Sequence, residues 1–95
     1  GVNELFASNK LDFTIYPNPS LEGNVNLKFG SSFVDLSQAD LFVFDVFGKQ
    51  VFSNTLSGGS WLDLNLNLSF LSSGVYLVKI NSESYFGEQY FTISK

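Results

Sequence analysis

Leu62-Asp63-Leu64-Asn65-Leu66-Asn67-Leu68 places leucine at every second position, with Asp or Asn between. At helical pitch these four leucines would scatter around the cylinder. At a period of two they line one face of a strand and leave the polar side chains on the other. The reading extends downstream to Gly74-Val75-Tyr76-Leu77-Val78-Lys79-Ile80, where Tyr76, Val78 and Ile80 share one face and Val75, Leu77 and Lys79 the other. A slip of one residue in either run exchanges inside for outside, so burial sets the register. Seven strands are predicted in all, over 13–16, 24–29, 39–45, 50–55, 61–66, 74–80 and 89–93. The breaks carry Pro17, Pro19, Gly23, Gly30, Gly48, Gly58, Gly59, Gly74 and Gly87. Short strands at close spacing with turn residues between them predict an all-β sandwich or barrel. Residues 68–73 read as one irregular turn. Residues 1–12 show no sustained period and read as a linker or lead-in from an upstream domain, which leaves 13–95 as the folded unit.

A chain of 95 residues has room for a single core. Eleven Phe, four Tyr and one Trp make it rich in core material, while few Pro and modest charge argue against disorder. The formal charge is −4, all five cations are Lys, and there is no Arg. Nucleic-acid binding needs a basic stripe, and none is present. No apolar run reaches the length of a membrane-spanning helix. A single transmembrane hairpin is equally excluded, because a barrel must close from several strands. Without His or Cys, a Ser nucleophile lacks its usual base and a metal site its commonest ligands, and no disulfide can form. The nine acids are scattered, so no carboxylate pair for glycoside hydrolysis stands out. No catalytic, cofactor or metal site is assigned. The first residue is Gly, and the composition leans towards an exported protein. Both suit a piece of a longer polypeptide whose export signal lay elsewhere.

Three signatures join strand to turn. In Tyr16-Pro17-Asn18-Pro19 the two prolines fix φ and supply no amide hydrogen, which makes a stiff corner. In Asp45-Val46-Phe47-Gly48-Lys49-Gln50-Val51, Gly48 suits positive φ and Asp45 can accept bonds from turn amides. A calcium loop would need several more carboxylates. In Gly74-Val75-Tyr76 the tyrosine ring packs while its hydroxyl seeks a backbone partner. The aromatic surplus also raises carbohydrate stacking, with Trp61, Tyr85 and Tyr90 as candidates, although most Phe belong in the core. With Leu41 and Val43 inward, Phe42 and Phe44 face out, together with Phe52, Val75 and Leu77. That surface is either an apolar patch suited to a partner or a weak homodimer, or it is covered by residues 1–12.

The order of these signatures resembles a known family. Tyr-Pro-Asn-Pro, then Asp-x-x-Gly-Lys-x-Val, then Gly-Val-Tyr-Leu-Val-Lys-Ile, then a closing strand up to Lys95 is similar to the type A C-terminal sorting domain of proteins exported by the type IX (Por) secretion system of Bacteroidetes. The likeness covers roughly 13–95. It implies a seven-stranded, antiparallel, immunoglobulin-like sandwich of Greek-key type, carried behind an upstream cargo domain. It further implies a secretion signal recognised by a shuttle protein, passed from periplasm through the outer-membrane translocon, and removed by a sortase-like peptidase at the cell surface. The signal in this family rests mostly on the last two strands, here 74–95. Carried over to this chain, the recognition residues are Pro17, Asn18, Pro19, Gly48, Lys49, Gly74, Tyr76, Lys79, Tyr90, Phe91, Thr92, Ile93, Ser94 and Lys95. Where the family often has further Lys before the last, Glu88-Gln89 stands here. Two rival readings are a carbohydrate-binding or adhesive module, from the aromatic surplus, and a passive immunoglobulin-like spacer.

Overall fold

Alternation of buried and exposed side chains, the property read from the leucine-rich strand, organises most of the molecule. A computed structural model of the chain describes residues 9–30, 38–57, 63–82 and 85–95. It contains eight strands: β1 (Asn9–Lys10), β2 (Phe13–Tyr16), β3 (Asn24–Phe29), β4 (Gln38–Phe44), β5 (Gln50–Ser57), β6 (Asp63–Asn67), β7 (Gly74–Asn81) and β8 (Tyr85–Ile93). They form a three-stranded sheet in the order β2-β3-β6 and a five-stranded sheet in the order β1-β8-β7-β4-β5. Every pairing is antiparallel except that of β1 with β8. The chain crosses between sheets from β1 to β2, from β3 to β4, from β5 to β6 and from β6 to β7. That connectivity is a Greek-key sandwich of immunoglobulin-like order.

The inner faces meet in one core. Phe13, Ile15, Val25, Leu27, Phe29 and Leu66 come from the smaller sheet, and Leu41, Val43, Tyr76, Val78, Ile80, Phe91 and Ile93 from the larger. Burying each such aliphatic or aromatic side chain is worth about 1.5–3 kcal/mol, which is what holds a domain without disulfides together. In β6, Leu66 is buried, as is Leu68 just beyond it, while Asp63, Asn65 and Asn67 are exposed, as the period of two predicts. Leu68 also donates its amide to the Gly23 carbonyl at 2.9 Å. Gly23 has φ +93°, and a Cβ there would lie 2.6 Å from the Leu68 carbonyl oxygen, so both conformation and space demand glycine.

Three sequence expectations need correction. Residues 9–12 are not a loose lead-in: Asn9 and Lys10 pair with Tyr85 and Phe86, and Leu11 is buried with its amide bonded to the Phe86 carbonyl at 2.7 Å. Two residues are too few to show a period, so the sequence pattern misses them. The last strand starts at Tyr85, four residues earlier than predicted. Gly87 is no break; the Leu11 carbonyl passes so close that a side chain at Gly87 would collide with it, the usual meaning of a glycine inside a strand. Phe52, expected outward, pairs with Val43 and packs against the core. The register between β4 and β5 shifts so that Gln50 faces Phe44, leaving Val51 as an extra residue, and this bulge turns Phe52 inward. Gly58, Gly59, Trp61, Leu62 and residues 1–8 lie outside the described residues.

Candidate functional site

The three sequence signatures, far apart in the chain, meet at one end of the sandwich. At that end the last residues of β8 pair with the first of β7, Ile93 with Gly74 and Thr92 with Val75. Next along the sheet, β4 ends at Phe44, opposite Leu77, and runs into the Asp45 turn. On the other side of β8, Ser20 forms a parallel bridge with Ile93. A cleft of about 180 Å³ separates the Asp45–Phe47 turn from Ser72–Tyr76.

Each signature is built by local chemistry. Asp45 Oδ1 accepts bonds from the amides of Phe47 and Lys49, both at 2.9 Å, and Gly48 adopts φ +83°. This closes a turn that leaves Val46 and Phe47 in solvent, with Phe47 91% exposed. Tyr76 stacks on Phe91 with ring centroids 5.7 Å apart and donates its hydroxyl to the Ser72 carbonyl at 2.7 Å, which fixes the turn before β7. The Pro17-Asn18-Pro19 corner, with both proline peptides cis, lies against β8. Asn18 Oδ1 accepts the Thr92 amide at 2.9 Å, and Asn18 Nδ2 lies 3.5 Å from the Tyr90 carbonyl.

Ser20, which the sequence reading passed over, is the hub of this corner. It is buried, and its backbone amide donates to the Thr92 carbonyl while its carbonyl accepts the Ser94 amide, both at 2.8 Å. Its hydroxyl accepts from Gly23 and donates to the Asn24 carbonyl. Ser73 was also missed: its hydroxyl accepts the Lys95 amide at 2.9 Å, and Lys95 Nζ donates to the Ser69 carbonyl at 2.6 Å. Position immediately after Pro19 was the only available signal for Ser20, and nothing local marks Ser73.

Of the residues carried over from the resemblance, the structure brings together Asn18, Gly74, Tyr76, Phe91, Thr92, Ile93, Ser94 and Lys95. Pro17 and Pro19 are exposed and line an open groove of about 560 Å³ with Leu21, Glu22, Asn24 and Asn26. Gly48 and Lys49 sit in the neighbouring turn. Lys79 stands apart in the middle of the outer face, 3.9 Å from Glu88 and 5.7 Å from the centroid of the Phe44 ring. Tyr90 is 65% exposed on that same face.

The outer face of the larger sheet carries the apolar patch expected from the sequence, with Phe52 removed and Tyr90 added. Tyr90, Leu77 and Phe44 lie side by side on adjacent strands, flanked by Val75 and Phe42, whose ring is 6.2 Å from that of Phe44. Of the stacking candidates, Tyr85 packs against the core and Trp61 lies outside the described residues. Among the described residues, no group of three or more acids comes close enough to hold a metal ion. None of their helices is long and apolar enough to cross a membrane.

Comparison with solved structures finds a likeness to CopC from Methylosinus trichosporium OB3b, with a TM-score of 0.55 and 22% identity over 93% of this chain and 84% of that one. At this identity the likeness supports the sandwich fold alone. No curated protein matches the chain. A family model described as the secretion system C-terminal sorting domain matches residues 14–94, nearly the whole chain. The chain belongs to that family: it is a sorting domain of the type IX secretion system, a signal that acts through the type IX machinery to send its cargo to the cell surface or beyond.

Proposed function

We propose that the end of the sandwich where the signatures meet is the face the secretion machinery reads, with residues 74–95 carrying most of the address and 13–95 serving as the folded unit. The observation behind this reading is convergence: the Pro-Asn-Pro corner, the Asp45 turn, the start of β7 and the close of β8 share one surface. Val46, Phe47, Phe70 and Val75 are exposed around it, giving apolar contact area. Recognition of this kind depends on shape and apolar contact more than on charge, because Lys49 and Lys95 are the only cations nearby.

In this reading a shuttle protein engages the domain in the periplasm and delivers it to the translocon. A sortase-like peptidase then removes it near its N-terminal boundary. A peptidase needs an unpaired, extended segment, and Asn9–Leu11 are bonded to β8, so the proposed cut lies upstream of them. The domain itself performs no chemistry, in keeping with a sequence that lacks His, Cys and Arg.

Fusion of this chain to a secreted fluorescent cargo in a type IX-competent host tests the proposal. Export of the intact fusion, lost on deletion of residues 90–95, is the expected result. Periplasmic retention of the intact fusion, or unchanged export after the deletion, would count against it.

A further inference from the structure

The far edge of β8 is where a sheet would ordinarily present unpaired amides and carbonyls, ready to accept another strand. Here the close of that edge is already occupied. On this edge the Thr92 amide goes to Asn18, the Thr92 carbonyl to the Ser20 amide and the Ser94 amide to the Ser20 carbonyl, while on the β7 side of the strand the Lys95 amide goes to Ser73. Three backbone groups on two residues of this edge are therefore satisfied by 18–20, a segment remote in sequence, and Ser73 ties down the end of the strand from the β7 side.

We infer that Asn18, Ser20 and Ser73 are the positioning residues of the sorting signal, and that the signal is this seated close of β8, held by Asn18 and Ser20 on its edge and by Ser73 on its β7 side, and not the linear peptide 90–95. The inference rests on the reading under Proposed function, and deepens it. Asn18 imitates a peptide unit of a neighbouring strand: its side-chain oxygen accepts an amide, and its nitrogen faces a carbonyl. Asp at this position keeps only the acceptor, and Ala keeps neither. Pro17 and Pro19 have no amide hydrogen of their own and fixed φ, so the corner holds Asn18 against β8. The seat also sets how a partner can bind. With the edge at Thr92–Ser94 taken, the partner cannot add a strand there. It must instead meet the outward side chains of β8 and the turns beside them.

The test uses the cargo fusion together with amide hydrogen exchange on the purified chain, in the wild type, Asn18→Ala, Asn18→Asp and Ser73→Ala. Asn18→Ala is expected to speed exchange of the Thr92 amide at least about tenfold. The core Val78 amide should stay protected, and export should fall severalfold. Asn18→Asp is expected to restore Thr92 protection and export partway, because the acceptor returns. Normal export of Asn18→Ala with a deprotected Thr92 amide would overturn the inference, since the peptide alone would then suffice. If Asn18→Ala also loses Val78 protection, Ser73→Ala decides: faster exchange of the Lys95 amide with reduced export supports the seat, and undiminished export overturns it. Retention of the wild-type fusion would sink the sorting reading itself, and the inference with it.

Discussion

Beyond β8 the larger sheet continues into β1 at one end and the Asn18–Ser20 corner at the other, whereas beyond β5 no described residue forms a further strand. The two edges differ in composition as well as in cover. β5 carries no charged residue and no proline, and its bulge at Val51 is its sole departure from regular pairing. Natural edges are usually blunted by charge, proline, bulges or cover. The β8 edge uses cover. In the reading proposed above, the hydrogen bonds that protect the edge are also those that hold the address in place.

The largest expected effect comes from making one substitution on both edge strands. Phe91→Ala removes a side chain that is 1% exposed and stacked on Tyr76, and should cost about 3–5 kcal/mol in urea denaturation. Phe52→Ala, half-buried on β5 beside Phe70 at 6.3 Å, should cost clearly less. Equal losses would break the contrast between the strands.

Next is Gly87→Ala. Its new methyl meets the Leu11 carbonyl, with Phe13 Cε1 at 3.2 Å, so β1 must shift at a cost of about 1–3 kcal/mol. Rapid exchange of the Leu11 amide, which loses its bond to Phe86, would locate the damage at this edge. Unaltered stability and exchange would mean that β1 contributes little cover.

On β5, Ser53→Lys places a charge on the exposed edge opposite Phe42 and should change stability by no more than about 0.5 kcal/mol. Any concentration-dependent self-association seen by sedimentation should weaken in this variant. A loss of several kcal/mol would show that the β5 edge is engaged after all.

The smallest effect concerns the edges of the other sheet. Tyr16 on β2 donates its hydroxyl to Asp63 on β6 at 2.8 Å, reaching across β3. That hydrogen bond, with a lesser contribution from partial desolvation and the carboxylate charge, raises the phenol pKa above its ordinary value. A raised folded-state value stabilises the protonated form. Its contribution is therefore complete below the unfolded pKa and is lost as pH rises through the folded one. Tyr16→Phe should lower stability slightly at neutral pH, where that contribution is complete, and flatten the alkaline limb so that the two proteins converge at high pH. An identical alkaline limb would remove Asp63 from the account.

The residues of the three signatures and their supports divide along the same line. The Asp45 turn was legible because its donors and acceptor lie within four residues of one another. Tyr76 was legible because its hydroxyl partner is only four residues away. The contact between Asn18 and Thr92 spans 74 residues, and no local pattern announces it. Ser20 is among the most buried polar residues, yet in sequence it is merely the serine after a proline.

Sequence alone determined where β2 to β7 lie and, Phe52 apart, which of their faces point inward, through the alternation in 62–68 and 74–80 and the inward Leu41 and Val43. Periodicity reports burial, and burial along a strand is a local property of every second side chain. Tertiary structure alone decided how the sheet edges are closed: β1 beside β8, a glycine where Leu11 passes, a bulge that turns Phe52, and Asn18 with Ser20 on Thr92. Those choices depend on backbone groups brought together from opposite ends of the chain, and the packing of the two sheets, not side-chain pattern, selects which of them meet.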